Sequence, residues 1–187
     1  MKYKTQKQYR YKGYDYSQDG FYFVTICTKN KELFFGDIKN NKIELSEIGK
    51  IAEKYWLEIP NHFSFVNLYE HIIMPNHVHG IIEIDKNKNV GTGQCPVPTR
   101  QCPVPTDMDY VSKFGNVKSE SISTIIGSYK SIVTKIANKN NIEFAWQSRF
   151  HDRIIRNEKE FNNIRNYIVN NVDKWELDKN NKNNLYI

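Results

Sequence analysis

The sequence predicts an α+β sandwich built on an antiparallel sheet. Three observations predict it. Short runs rich in β-branched and aromatic residues come in hairpin pairs, amphipathic helices are segregated from them, and the order reads strand, hairpin, helix, two strands, helix, helix. The chain has 187 residues, 39% of them hydrophobic, which suits one domain with a real core, here expected to span residues 1–187.

"FYFVTICT" (Phe21 to Thr28) follows Gly20 and reads as a buried strand. "ELFFGDI" and "KIEL" flank the polar "KNN" and read as a short hairpin. Ser46 then serves as an N-cap for "SEIGKIAEKYWLEI", where Ile48, Ile51, Ala52, Tyr55 and Trp56 recur at helical spacing and Pro60 marks the end. "FVNLYEHIIM" (Phe65 to Met74) is the next strand, "PN" a turn, and "HVHGIIEI" its returning partner. From about residue 85 to 118 the chain is polar and carries "QCPVPT" twice, at Gln94–Thr99 and Gln101–Thr106. A period this short over only two copies makes no solenoid, and a mobile loop insertion is expected. "SESISTIIGSYKSIVTKIANK" is a helix with Ile122, Ile125, Ile126, Tyr129, Ile132, Val133 and Ile136 on one side, and Lys130 and Lys135 off that stripe. "FAWQSRFHDRIIRN" is partly extended. "NEKEFNNIRNYIVNNVDKW" is a helix capped by Asn157, with Glu158 and Glu160 in its first turn, and residues 176–187 form a polar tail.

The net charge is +6, the pI about 9.1, and aromatics make up 13% of the chain. Basic charge with stackable rings suits a nucleic acid, although charge alone leaves a plain basic protein equally open. No apolar run is long enough to span a bilayer, so no membrane partner is expected. The basic N-terminal stretch lacks the apolar segment of a signal peptide. With three cysteines, an odd count, a reduced cytoplasmic protein is expected. Cys95 and Cys102 lack the second pair that a metal site would need.

The chemistry concentrates in "MPNHVHG" (Met74 to Gly80). Side chains alternate along a strand, so His77, His79, Ile81 and Glu83 share one face while Val78, Gly80, Ile82 and Ile84 face the core. A divalent metal relieves two adjacent imidazoles by taking a lone pair from each. A bare His-x-His is also compatible with two half-exposed histidines in a hairpin. A third ligand must come from elsewhere, and the last helix offers candidates. Phe161, Ile164, Ile168, Val172 and Trp175 form its apolar stripe, and Tyr167 and Asn171 lie on one shoulder, roughly 40° apart and one turn distant. From the helix alone, Tyr167 reads equally as a core-edge tyrosine.

These residues resemble a known family. "MPNHVHGII" is similar to the histidine–hydrophobic–histidine (HUH) signature, and "RNYIVNN" to the tyrosine helix of single-tyrosine HUH transposases. "YKGYDYSQDGFYFVTICT" and "WQSRFHDRIIRNEKEF" resemble the REP-associated tyrosine transposases of the IS200-like superfamily. The likeness runs from about Tyr11 to Trp175 without the repeat loop. It implies an HUH endonuclease fold, with a ferredoxin-like or RRM-like antiparallel sheet and helices packed on it. It also implies a single-stranded DNA substrate, often beside a hairpin. By position His77 and His79 match the metal pair, Tyr167 the nucleophile and Asn171 the polar ligand. One departure is Val172, where the family commonly has proline; valine would let the helix run on toward Trp175.

The expected reaction is metal-assisted nicking and joining of single-stranded DNA. A phenol is a poor nucleophile at neutral pH, and a phosphodiester a poor electrophile. A divalent cation, Mg2+ or Mn2+, on His77, His79 and Asn171 would address both, and Tyr167 would form a 5′-phosphotyrosine with a free 3′-OH. Expected DNA contacts are Arg10, Lys12, Lys130, Lys135, Arg149, Arg153 and Arg156. His151 reads first as a structural hydrogen-bonding residue. A DNA-binding module without mobility and a metal-dependent hydrolase remain open as alternatives. The assembly is a monomer or a homodimer, with monomer preferred.

Overall fold

The computed structural model describes residues 14–87 and 120–175. Most of the expected loop insertion at about 85–118, the tail 176–187, and Arg10 and Lys12 lie outside the described residues.

β1 (Gly20–Cys27) and β5 (His77–Ile84) form the centre of a four-stranded sheet, with β4 (Val66–Met74) and β6 (His151–Ile155) at its edges, in the order β4-β5-β1-β6. Every pairing is antiparallel. β2 (Gly36–Lys39) and β3 (Lys42–Leu45) form a separate hairpin. Its two-residue loop, Asn40-Asn41, has φ of 50° and 56°, the doubly positive turn that matches strand twist. α1 (Glu47–Leu57), the single-turn α2 (Ile59–His62), α3 (Ile122–Lys139) and α4 (Glu158–Val169) complete the elements. With the hairpin and α2 set aside, the order to β6 is βαββαβ, a ferredoxin-like split βαβ, and α4 is added after it. The α+β, antiparallel-sheet expectation therefore holds.

Both faces of the sheet are covered, and the burial follows the alternation of β1 and β5. Tyr22, Val24 and Ile26 pack with Val78, Ile82 and Ile84 against Trp56 of α1 and Ile125, Ile126, Tyr129 and Val133 of α3. On the opposite face Ile81 and Ile155 pack with Ile164 and Ile168 of α4, and Phe21, Phe23, Ile72, Phe161 and Tyr167 pack around them. α1 starts where expected: the Ser46 hydroxyl accepts from Gly49 N–H at 3.1 Å and donates to the Phe34 carbonyl at 2.6 Å. Gly80 is required by packing, because a Cβ there would collide with the Trp56 ring.

Two elements differ from the sequence expectation. Pro60 does not stop helical structure altogether; it sits in the first turn of α2, where its missing N–H costs nothing. The last helix ends at Val169 instead of running to Trp175. Asn170 bonds back to the Asn166 carbonyl through both its backbone N–H and its side-chain nitrogen, and the chain continues in turns. Asparagine side chains compete with the backbone ladder in this way, so the helix ends there without a proline.

Candidate active site

The turn before β5 sets the first imidazole. Asn76 is fully buried, and its side-chain nitrogen donates to the Lys31 carbonyl at 3.1 Å. That leaves its oxygen toward His77 Nδ1, at 2.8 Å. The oxygen can only accept, so in the neutral ring Nδ1 carries the proton and Nε2 keeps its lone pair. The second imidazole is held from β1: Thr25 is the cross-strand partner of His79, and Thr25 Oγ1 shares a 2.9 Å hydrogen bond with His79 Nδ1. Both rings are thus gripped at Nδ1, the arrangement that orients a metal-binding histidine. Their centroids are 4.3 Å apart, and the residues are 0% and 2% exposed. Asn76 and Thr25 were not singled out from sequence. Asn76 resembles an ordinary turn residue there, and Thr25 meets His79 only through strand pairing.

α4 brings the rest. It lies against β4 and β5, tied at its start by Phe161, whose ring meets Phe21 at 5.3 Å and Tyr69 at 5.4 Å. An ion pair between Arg165 and Glu70 holds its middle. A bulge in β4 between Leu68 and His71 lets the consecutive Tyr69 and Glu70 both reach this helix. Tyr167 then reaches the histidines: its hydroxyl is 3.2 Å from His79 Nε2, and its ring stands edge-on to Phe23 at 6.2 Å. One turn later comes Asn171, 1% exposed. Neither polar atom of its carboxamide has a hydrogen-bond partner among the described residues. Four residues on, the Trp175 ring lies 6.1 Å from His77 at an interplanar angle of 30°. Asn171 is therefore bracketed along the chain by one residue on each histidine. No cluster of three His, Cys, Asp or Glu residues suited to a metal exists among the described residues.

Glu83 shares the histidine face but serves structure: it accepts from Asn67 at 2.8 Å and from the Tyr69 hydroxyl at 3.0 Å. The basic residues divide. Lys130 is committed to the fold, donating to the carbonyls of Gln147 at 2.6 Å and Ser148 at 3.3 Å, and burial pushes its ammonium below the ordinary lysine value. Lys135, Arg149, Arg153 and Arg156 are exposed. Arg153 is ion-paired with Glu160. His151 departs from expectation: it is exposed and makes no hydrogen bond among the described residues, because it sits on the outer strand of the sheet with nothing packed over it.

No family model matches the chain. An uncharacterized protein of Haemophilus influenzae is 38% identical over 175 residues, covering 93% of this chain and 92% of its own length. The chain belongs to that protein's family. The family's fold also appears in a solved structure of a REP-associated tyrosine transposase bound to a REP hairpin, with a TM-score of 0.55, 15% identity, and coverage of 89% of this chain and 73% of that one. A structure from Deinococcus radiodurans overlaps less well, at a TM-score of 0.42 and 15% identity over 87% of this chain and 96% of that one. Among the described residues no helix is long and apolar enough to cross a membrane.

Proposed function

We propose that this protein nicks and rejoins single-stranded DNA through Tyr167, in the manner of a single-tyrosine HUH transposase. The observation that carries the reading is the Tyr167 hydroxyl 3.2 Å from His79 Nε2, beside a second imidazole. The donor set fits a divalent cation: a lone pair on His77 Nε2, the facing His79 ring, and the buried carboxamide of Asn171 without a partner. Mg2+ or Mn2+ bound by His77, His79 and Asn171 would supply positive charge against the non-bridging phosphate oxygens.

The protein's own groups do the remainder. Asn76 fixes the tautomer of His77, and Asn76 and Thr25 together orient the two rings. Phe23 and Ile168 pack beside Tyr167, which limits where the phenol can point. The Tyr167 oxygen forms a bond to phosphorus as the bond to the 3′-oxygen breaks, leaving a 5′-phosphotyrosine and a free 3′-OH, while the phenolic proton passes to solvent. Because the covalent link conserves the bond, a second 3′-OH can reverse the step and join new ends.

The substrate reading rests on the +6 charge, the exposed Lys135, Arg149, Arg153 and Arg156, and the REP hairpin held by the solved transposase of the same fold. Arg10 and Lys12 would add phosphate contacts. On this reading the protein would meet its DNA in the cytoplasm.

The test uses 3′-labelled single-stranded oligonucleotides copied from the hairpin-forming DNA beside the gene, with Mn2+. A labelled protein adduct surviving denaturing electrophoresis is expected, and Tyr167→Phe should abolish it. Cleavage without an adduct, or an adduct that persists in Tyr167→Phe, would refute the reading in favour of metal-activated water or another nucleophile.

A further inference from the structure

We infer that His151 is the general acid that protonates the departing 3′-oxygen. The inference rests on the nicking reading above and assigns a second reacting group to that site.

The argument begins with strand register. Thr25 of β1 is the partner of His79 on one side and of His151 on the other. His79, Thr25 and His151 therefore form one row across three adjacent strands. Residues paired in this way project from the same face of a sheet. The Thr25–His79 hydrogen bond establishes that this is the site face. The next outward-matching residue of β6, Arg153, pairs with Glu160 of α4 and so lies on that face too. The backbones of His79 and His151 are two strand spacings apart, about 10 Å. Two imidazoles leaving one face at that separation leave a gap suited to a phosphodiester between them.

Direction supplies the second half. α4 approaches from the β4 and β5 side, anchored there by Arg165 on Glu70 and Phe161 on Tyr69. The Tyr167 ring lies 5.3 Å from His79 and 6.2 Å from Phe23, so the nucleophile reaches the imidazole row at its β5 end. In an in-line displacement the leaving oxygen departs opposite the nucleophile. Opposite the β5 end of that row, across Thr25 of β1, is β6, where α4 covers Arg153 and Ile155 but leaves His151 exposed. His151 is the imidazole standing there, exposed and with no hydrogen bond among the described residues. An imidazolium donates from either ring nitrogen, so a ring standing free in solvent can turn a proton toward the departing oxygen. The step balances: the phosphorus–Tyr167 bond forms, the phosphorus–O3′ bond breaks with its electron pair on O3′, and O3′ takes the proton of the His151 imidazolium. Solvent then reprotonates the neutral ring.

The test compares His151→Gln with the unsubstituted protein on two oligonucleotides, one ordinary and one whose scissile 3′-oxygen is replaced by sulfur. A thiolate leaves without protonation. His151→Gln is expected to slow adduct formation on the oxygen substrate at least about 100-fold and to restore near-normal rates on the sulfur substrate. Its thermal unfolding midpoint should match that of the unsubstituted protein, because the side chain is exposed. An unchanged rate on oxygen overturns the assignment. An equal loss on both substrates also overturns it, and would make His151 a DNA contact. If the unsubstituted protein forms no adduct with either oligonucleotide, the nicking reading fails and takes this one with it.

Discussion

A buried polar group left without a hydrogen bond costs about 1–3 kcal/mol, and both polar atoms of the Asn171 side chain are in that position among the described residues. A cation at the proposed site would relieve this cost. Replacing Asn171 with leucine removes the uncompensated groups. Asn171→Leu should therefore raise resistance to urea by about 1–2 kcal/mol in the presence of a chelator, while Mn2+-dependent adduct formation collapses. A destabilised Asn171→Leu would show that the carboxamide has a structural partner. The shared face of His77 and His79 and the shared shoulder of Tyr167 and Asn171 were legible in sequence, because alternation along a strand and the turn of a helix are local rules; that the two sets belong together was implied only by the family resemblance. Asn76 and Thr25 were not. Each acts on a histidine through a hydrogen bond whose meaning depends on side-chain orientation or on pairing between distant strands.

At the scale of elements, α4 is held at its start by a short electrostatic clasp. The Asn157 side chain accepts from the Glu160 N–H at 2.9 Å, and the Glu160 carboxylate accepts from the Arg156 N–H at 2.9 Å and pairs with Arg153. The Arg156 N–H bond, with the Arg153 guanidinium beside it, holds the Glu160 carboxyl below the usual carboxylate range. A depressed folded-state pKa means the contribution is present above the unfolded value, about 4.3, and is lost as pH falls through the lower folded value. The group is close to solvent, so the contribution is below about 1 kcal/mol. Thermal unfolding from neutral pH to about pH 3 should show Glu160→Gln less stable than the unsubstituted protein at neutral pH, with the difference vanishing at the acid end. A difference that persists there would point to packing instead of charge. The cap at Asn157 was readable from sequence, whereas the end of the helix at Val169 was not, because a run of asparagines carries no stop signal as strong as proline.

Across the whole molecule, the sheet divides labour between its faces. One carries α1 and α3 and most of the core, and the other carries α4 and the imidazoles. A cation binding only the folded site would stabilise the entire protein, by about 2.7 kcal/mol at a hundredfold excess over its dissociation constant. Mn2+ should raise the unfolding midpoint, and His79→Ala should abolish that rise. An equal rise in His79→Ala would place the cation elsewhere. Nearly all of this architecture was legible, since period-two and helical patterns specify which way each element faces. The bulge in β4 was not, because two residues opposing one leave no mark on composition. Nor was the commitment of Lys130 to two backbone carbonyls, since an off-stripe lysine reads as a surface charge.

The dimple at Gly80 has a mechanical consequence. Trp56 fills it from the far side of the sheet. If β5 slid by one position, the residue brought under the indole would be Val78's neighbour His79 or Ile81, each with a Cβ that the ring cannot accommodate, and both imidazoles would swing into the greasy interior. The indole is thus a key in a slot. A helix on the opposite face keeps the imidazole pair from slipping out of alignment.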